Sequence, residues 1–243
     1  MDSVHDIGGT DNIGSIDTSE ENSKSYDVKD SDWEEAVFPL LPALYGQKIF
    51  NFNTNRYTIE KVMDPVYYLD APYYEHWLAG IEAMLYEQGI ITKEEYQDRI
   101  EEFKQAADPE ELIPEYENEE IKQAAIDVIE NGTSERWRQE TDPQDTKFEP
   151  GDEVIVKNIH PTGHTRCPEY IRGVKGEVEE IFGTQTLPDE RAHVDGFGEY
   201  TTPEPVYHVK FNNEDIWGKD YDHLGGNETT VISLYETYLE GVE

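Results

Sequence analysis

The sequence predicts an α+β fold, with a helical first half followed by a small antiparallel β-barrel. Apolar residues recur three and four positions apart before about residue 140, which is the period of an amphipathic helix. From Phe148 onward they alternate with polar residues, which is the period of a half-buried strand. The first 30 residues are rich in Ser, Asp, Glu and Gly and show neither period. We therefore expect an extended arm over 1–30, a helical domain over 31–147 and a β-barrel domain over 148–243.

The clearest predicted helix follows Pro72 and stops at Gly89, because glycine is typical of the position that ends a helix. Its apolar face is formed by Trp77, Ile81, Met84 and Leu85. Thr92 and Glu95 have the spacing of a capping box, in which each residue binds a backbone N–H near the helix start. The sequence therefore predicts two consecutive helices in this region.

Two further helix predictions depend on proline and on capping side chains. Pro39 and Pro42 are expected to bend or fragment a helix over WEEAVFPLLPALYG, because proline lacks the N–H that continues the helical hydrogen bonds. Asn53 or Thr54 is expected to cap a short helix that carries Arg56, since both side chains can accept hydrogen bonds from the first helical N–H groups.

Four segments after Phe148 alternate as strands do and are separated by turns rich in Gly, Pro, Asn and Asp: EVIVK, VKGEVEEIF, VYHVKF and TTVISLYETYL. Short strands at this spacing predict a small antiparallel barrel. The phrase FEPGDEVIV, a turn that leads into an alternating strand, is frequent at the start of Src-homology-3-like barrels, which host many functions. We expect a barrel of that type, with a domain boundary between about 140 and 148.

The charge balance excludes several classes of partner. The chain carries 55 Asp and Glu against 19 Lys and Arg, a net charge of −36, which repels nucleic-acid backbones and anionic membranes. A DNA mimic is an alternative, but 16 Tyr and 4 Trp are atypical of one. A hydrated acidic surface is typical of proteins that stay soluble at high salt. The start, MDSVHDIGGT, has no signal-peptide pattern. We expect a cytoplasmic protein of a halophilic organism.

Self-contained catalytic motifs are missing from the sequence. It lacks a phosphate-binding loop, an H-E-x-x-H helix and a G-x-S-x-G turn. Cys167 is the only cysteine, which excludes an internal disulfide and a site made of several thiolates. The histidines are scattered without the spacing of metal ligands on a helix. We therefore expect that this chain alone holds no metal.

One basic stretch contrasts with the acidic remainder. PTGHTRCPEYIRG, from Pro161 to Gly173, contains two arginines, and the first of them, Arg166, precedes Cys167. Arg56 is a comparable arginine in the helical half. A guanidinium suits bidentate contact with an oxyanion, and the alternative for each arginine is a salt bridge within the chain. For Cys167 the alternatives are a thiol whose pKa is lowered by the neighbouring arginine and a small, semi-buried packing residue.

The stretch PYYEHWL supports two interpretations. Tyr73 and Trp77 are four residues apart and hence on one face of the predicted helix, with His76 beside them. Such a face is either part of the core or the lining of a ligand pocket. The residues alone leave both interpretations open.

The chain resembles one family, the β subunit of nitrile hydratase, nearly from end to end. The resemblance is carried by HDIGGTDNIG, DWEEAVFPLLPAL, RYTIEKVMDPVYYLDAPYYEHWL, EQGIITKEEY, FEPGDEVIVKN, PTGHTRCPEYIRGVKGEV, PEPVYHVKF, DIWG and ISLYETYLEG. The region from about 105 to 147 matches poorly. Position 167 also departs from the family pattern, because members commonly have methionine there, and we interpret Cys167 as a packing variant.

The resemblance implies an enzyme shared between two chains. An α subunit is expected to supply a C-x-x-C-S-C loop that binds one cobalt(III) or iron(III) ion, with two of its cysteines oxidised to sulfinic and sulfenic acids. The two chains together are expected to hydrate a small-molecule nitrile to an amide, as a heterodimer that can pair into a heterotetramer. Tryptophan at the end of YYEHW is similar to cobalt-type members and favours cobalt over iron.

Six residues of this chain acquire roles from the resemblance. Arg56 and Arg166 correspond to two arginines that hydrogen-bond the oxidised cysteines of the α subunit. The other four are Tyr73 and Trp77, which line the nitrile pocket, and His76 and His164, which brace the site from behind.

A nitrile hydratase subunit has three alternatives. Thiocyanate hydrolase, a related cobalt enzyme, has counterparts of the helical and barrel halves in two separate subunits, whereas here the halves are continuous. A maturation or metal-delivery partner resembles the helical half, and the complete barrel with GHTR argues against it. A plain acidic scaffold would bind no partner that carries oxidised cysteines.

Overall fold

The computed structural model describes residues 4–8, 32–113, 118–131, 138–139, 145–161, 163–192, 203–219 and 228–242. These residues form two compact units. The helical unit contains the described residues between 32 and 131, and the sheet unit contains residues 4–8 and the described residues from 138 onward. Helices in one unit and an antiparallel sheet in the other confirm the α+β prediction. None of the helices within the described ranges is long and apolar enough to cross a membrane.

The helical unit contains six helices and one 3-10 turn. They are α1 (Asp32–Gly46), α2 (Phe52–Val62), α3 (Pro65–Asp70), α4 (Tyr73–Glu87), α5 (Lys93–Gln105), the 3-10 turn Pro109–Leu112 and α6 (Glu119–Asn131). Helix α4 packs against α1 and α2, and α1 also packs against α6. A small core forms where these helices meet, around Leu41, Phe50, Ile81 and Met84.

Helix α1 remains one helix although it contains both Pro39 and Pro42. Of the two expected effects, bending or fragmentation, fragmentation does not occur. Val37, Leu41 and Tyr45 recur every four residues and are 4%, 3% and 5% exposed, so one face of the helix is buried along its whole length. Burial of that face offsets the missing proline hydrogen bonds.

Asn51 caps helix α2, not Asn53 or Thr54 as the sequence predicted. The Asn51 side-chain oxygen accepts hydrogen bonds from the N–H groups of both these residues, each at 3.0 Å. Asn51, Asn53 and Thr54 are all favourable capping residues, so residue type alone does not identify the one that caps the helix. The capping box of Thr92 and Glu95 is confirmed at the start of α5.

The sheet unit contains six strands. They are β1 (Arg138–Gln139), β2 (Glu153–Val156), β3 (Lys175–Thr186), β4 (Pro203–Asn212), β5 (Thr229–Tyr235) and β6 (Leu239–Gly241). The strands are antiparallel in the order β5-β4-β3-β2-β6, and β1 pairs with β3. Short helices α7 (Pro188–Arg191) and α8 (Asn213–Trp217) follow β3 and β4, and 3-10 turns span Glu169–Ile171 and Glu236–Tyr238.

The predicted closed barrel is not confirmed, because the sheet formed by the described strands is open, with β5 and β6 at its two edges. The short strand β6 pairs only with β2 in this part of the chain. The sheet is nevertheless irregular, since the β3–β4 register shifts between Val178 and Glu180 and again between Ile181 and Gly183. Such register shifts bend and twist a strand, but they do not by themselves close a sheet into a barrel.

The core of the sheet unit lies on one face of these strands. Val154 and Val156 on β2 are fully buried, whereas Ile155 between them is only half-buried, as the predicted alternation requires. Cys167 and Ile171 also belong to this core, although neither lies on a strand. The segment that carries Arg166 is therefore packed into the sheet's own hydrophobic core.

Candidate functional site

Arg166 lies on a loop between β2 and β3, residues 163–173, which we call the Arg166 loop. His164, Thr165 and Cys167 are 2%, 5% and 1% exposed. Arg166 is the exposed residue among these buried neighbours. The buried side chains on either side direct the arginine outward from a loop that is fixed beneath it.

The backbone of Arg166 is held by a hydrogen bond to Tyr238, near the other end of the chain. Its N–H donates to the Tyr238 hydroxyl at 3.2 Å. That hydroxyl in turn donates to the Asp189 carboxylate. Burial, together with the Asp189 charge, raises the pKa of Tyr238, so the hydroxyl stays protonated and remains a donor.

Arg172, the second arginine of the basic stretch, has its side chain buried at 2% exposure. Its Nε and Nη2 atoms donate to the Cys167 carbonyl at 3.3 and 2.9 Å. Its Nη2 lies 3.6 Å from Oδ2 of Asp6. Arg172 thus forms a salt bridge within the chain, which is the predicted alternative to binding an external oxyanion.

Arg166 differs from Arg172, because no carboxylate in the described part of the chain forms an ion pair with it. Burial raises the pKa of Tyr235 to about 12, and the Arg166 charge opposes that rise. The Arg166 charge therefore acts on the buried Tyr235 hydroxyl, and no described carboxylate neutralises it through an ion pair.

Cys167 is a packing residue. Burial raises the pKa of its thiol to about 11, although the Arg172 charge opposes the rise. The interpretation of a lowered pKa is wrong, and the buried interpretation is confirmed. A transition metal requires thiolate, so this buried, protonated cysteine does not fit a cobalt or iron ligand.

Arg56 lies on α2 of the helical unit and is supported by an aromatic ring. Its guanidinium carbon is 4.6 Å from the centroid of the Phe52 ring, which lies one turn earlier on the same helix. Burial and the Glu60 charge raise the pKa of Tyr68, and the Arg56 charge opposes that rise. Arg56 is thus half-buried among aromatic rings.

Trp77 on α4 contacts both Phe52, the ring beside Arg56, and Tyr73. Its ring meets the Phe52 ring edge-on at 6.5 Å and lies 5.7 Å from the Tyr73 ring. Trp77 packs against the helical core, whereas Tyr73 is 53% exposed. Trp77 contributes to the core, as the first interpretation of PYYEHWL predicts. The pocket interpretation of the exposed Tyr73 stays a prediction.

His76 connects α3 to α4. Its Nε2 atom lies 2.7 Å from the Tyr68 carbonyl and its Nδ1 atom 3.1 Å from the Pro72 carbonyl. A carbonyl can only accept, so the ring nitrogen that carries the proton in a given tautomer donates to the carbonyl beside it. His164, the other predicted bracing histidine, lies on the Arg166 loop with its ring 5.4 Å from that of His5.

The structure groups four of the six predicted residues in the helical unit, namely Arg56, Tyr73, His76 and Trp77, and places Arg166 and His164 on the Arg166 loop. Sequence reasoning missed Phe52, although its spacing of four residues from Arg56 was a usable signal. It also missed Asp6 and Tyr238, which are too distant in sequence from the loop to give any signal.

Two family models match the chain. "Nitrile hydratase beta subunit, N-terminal" matches residues 1–127, and "Nitrile hydratase beta subunit, C-terminal" matches residues 137–241. The chain belongs to the nitrile hydratase β subunit family. The predicted family is thereby confirmed.

Individual relatives span the same length. The nitrile hydratase subunit beta of a Rhodococcus species is 32% identical over 98% of this chain and 95% of its own. The cobalt-containing nitrile hydratase subunit beta of Pseudonocardia thermophila is 30% identical over 100% of this chain and 97% of its own. The thiocyanate hydrolase subunit alpha of Thiobacillus thioparus is 28% identical but covers only 39% of this chain. The similarity to nitrile hydratase β subunits therefore extends over both units, whereas the similarity to the thiocyanate hydrolase subunit covers less than half of this chain.

Proposed function

We propose that this chain forms a nitrile hydratase with an α subunit, and that Arg166 and Arg56 bind the oxidised cysteine ligands of that subunit's metal. The observation that supports this most is the setting of Arg166. It is exposed on a buried, hydrogen-bonded loop and forms no ion pair with a described carboxylate, in a chain whose net charge is −36.

An arginine held in this way suits an anion supplied by another molecule. The hydrogen bond at the Arg166 N–H and the two at the Cys167 carbonyl restrain the backbone on both sides of the side chain. Less conformational entropy is then lost when the guanidinium binds. Its forked N–H groups match the oxygens of a sulfinate, which lysine cannot contact in the same geometry.

Arg56 supplies a second guanidinium with a different support. The Phe52 ring lies 4.6 Å from the guanidinium carbon of Arg56. A guanidinium carries several N–H donors in a fork that matches an oxyanion. Arg56 is therefore suited to bind an oxyanion of another molecule.

The aromatic residues of α4 form the proposed nitrile-binding surface. Tyr73 is exposed and lies beside Trp77, so together they offer a hydroxyl and an apolar wall to a small nitrile. His76 bridges α3 and α4 through two carbonyls and keeps this surface in place. His164, buried on the Arg166 loop, braces the second arginine.

The proposed metal belongs to the α subunit, since the single cysteine of this chain is buried and protonated. Cobalt is preferred over iron because the Pseudonocardia relative is named as cobalt-containing. When bound in the α subunit, the metal supplies the Lewis acidity that makes the nitrile carbon electrophilic. The residues of this chain orient the nitrile and neutralise the anionic oxygens around it.

Co-expression with an α subunit tests the proposal. The purified complex is expected to contain about one cobalt per pair of chains and to form amide from nitrile, whereas this chain purified alone should do neither. Elemental analysis and an amide assay on both preparations measure this. Nitrile hydration by the lone chain would contradict the two-chain assignment. Thiocyanate hydrolysis without nitrile hydration would favour the thiocyanate hydrolase alternative.

A further inference from the structure

Residues 4–8, which we call the strap, bind the Arg166 loop by charge. Oδ2 of Asp6 accepts a hydrogen bond from the Glu169 N–H at 2.8 Å. The same oxygen lies 3.6 Å from Nη2 of Arg172. One carboxylate oxygen therefore meets the loop at its backbone and at its buried arginine.

The strap also fits the loop by shape. A Cβ atom on Gly8 would lie only 2.7 Å from the Tyr170 ring. The strap backbone therefore passes nearer to this ring at Gly8 than a residue with a side chain would allow. The Tyr170 ring is itself stacked on Trp217, with ring centroids 5.1 Å apart. At the other end of the strap, the His5 ring lies beside that of His164.

The contact is placed so that it acts on Arg166. The side chains of Asp6 and Arg172 are 9% and 2% exposed, so removal of the carboxylate would take a nearby negative charge away from a buried guanidinium. That guanidinium donates twice to the carbonyl of Cys167, the residue directly after Arg166. A change at Asp6 is thus transmitted to the Arg166 loop by two routes, directly at the Glu169 N–H and through the Arg172 side chain to the backbone next to Arg166.

We propose that Asp6 is a positioning residue for the two-chain reaction, and that through Arg172 it fixes the orientation of Arg166. The inference rests on the proposed function of Arg166 and extends it to the N-terminal strap. Asp6 touches no substrate and acts only by holding the Arg166 loop in one shape. Arg172 is also a positioning residue, because its side chain contacts both Asp6 of the strap and the Cys167 carbonyl of the loop.

The test uses the co-expressed two-chain enzyme. Asp6→Ala is expected to lower kcat roughly 10- to 100-fold, as small displacements of a positioned group do, with KM within about twofold of wild type. Asp6→Asn retains an acceptor for the Glu169 N–H and should lower kcat less. Glu153→Ala is the matched control, since its carboxylate pairs with Lys175 on the exposed surface of the same unit; its kcat should be unchanged. An unchanged kcat in Asp6→Ala would overturn the proposal.

A double variant separates positioning from a general loss of structure. In an Arg166→Lys background, Asp6→Ala should lower kcat no further, because its effect passes through Arg166. If Asp6→Ala lowers kcat by the same factor in both backgrounds, the carboxylate acts elsewhere and the proposal is wrong.

Hydrogen exchange of the backbone amides tests the strap without any nitrile. Exchange across the Arg166 loop, including the Glu169 N–H, should be faster in Asp6→Ala than in wild type or Glu153→Ala. Unchanged exchange would overturn the role of the strap. If the wild-type complex hydrates no nitrile, the proposed function fails, and this comparison still decides whether Asp6 holds the loop.

Discussion

Arg56 is supported by residues within five positions of it, whereas Arg166 is supported by residues from both ends of the chain. Asn51 caps the helix that carries Arg56, and Phe52 lies under its guanidinium. The Arg166 backbone binds Tyr238, 72 residues further along. The Arg166 loop also binds Asp6, which is 163 residues before its partner on the loop.

The difference shows two ways to hold a cation ready for a partner. A helix brings residues four positions apart together as soon as it forms, so the Arg56 support depends on short-range structure. Around Arg166 the loop belongs to no helix or strand, and its shape depends on the packing of Cys167 and Ile171 into the core of the sheet unit. The orientation of Arg166 therefore depends on the stability of a whole unit.

Replacement of either arginine by lysine should have the largest effect. Arg56→Lys and Arg166→Lys are each expected to lower kcat of the two-chain enzyme roughly 10- to 100-fold, because a charge-assisted hydrogen bond contributes about 1.5–3 kcal/mol and lysine cannot fork. Steady-state amide formation per bound metal measures the change. Arg99→Lys is the control, since Arg99 also stacks on an aromatic ring but pairs with Glu102 on the surface.

The control variant should retain wild-type kcat. Unchanged turnover in either test variant removes the proposed role of that arginine alone. The two arginines are thus judged separately, and a loss confined to Arg56→Lys would mean that the long-range support of Arg166 serves stability only.

Short-range chemistry is the part of the molecule that the sequence predicted well. The capping box of Thr92 and Glu95 and the alternation of Val154 and Val156 were predicted from neighbouring residues, and the structure contains both. The Phe52 support of Arg56 also has a short-range signal in its spacing, which was overlooked. These features depend on the backbone periods of 3.6 and 2, which are visible in the spacing of neighbouring residues along a helix or strand.

Features that join distant residues were not predicted. Arg172 and Arg166 are six positions apart in the same basic stretch, yet only Arg172 is paired with Asp6. Residue type and spacing do not distinguish them, because the pairing depends on where the strap lies. The predicted closure of the sheet is not confirmed by the described strands, and the reason is the same, since alternation predicts strands but not which strands lie at the edges.

Alkaline pH should weaken the sheet unit through Cys167. Burial raises the pKa of this thiol from its ordinary 9.0 to about 11 in the folded chain. The thiol therefore contributes stability that is fully present below pH 9 and is lost as the pH rises to about 11, with a total of about 2–3 kcal/mol. Cys167→Ser lacks a group that titrates in this range and should lose less free energy of unfolding.

Denaturant unfolding of the full chain at pH 8 and pH 11 measures the difference between wild type and Cys167→Ser. Tyrosines with raised pKa values, such as Tyr235, ionise in both proteins, so their contribution cancels. An equal loss in both proteins would show that Cys167 does not keep its proton within the core.

Phe52→Leu should have the smallest effect, because it keeps an apolar side chain and removes only the aromatic contacts with Arg56 and Trp77. The cation–π interaction with Arg56 is worth about 0.5–1 kcal/mol, so kcat of the two-chain enzyme should fall only about two- to fivefold. Phe103→Leu is a closely matched control, since Phe103 supports Arg99 at a similar distance of 4.8 Å with the same spacing of four residues. It should leave kcat unchanged. An equal fall in both variants would mean that lost aromatic packing, and not the orientation of Arg56, lowers the rate.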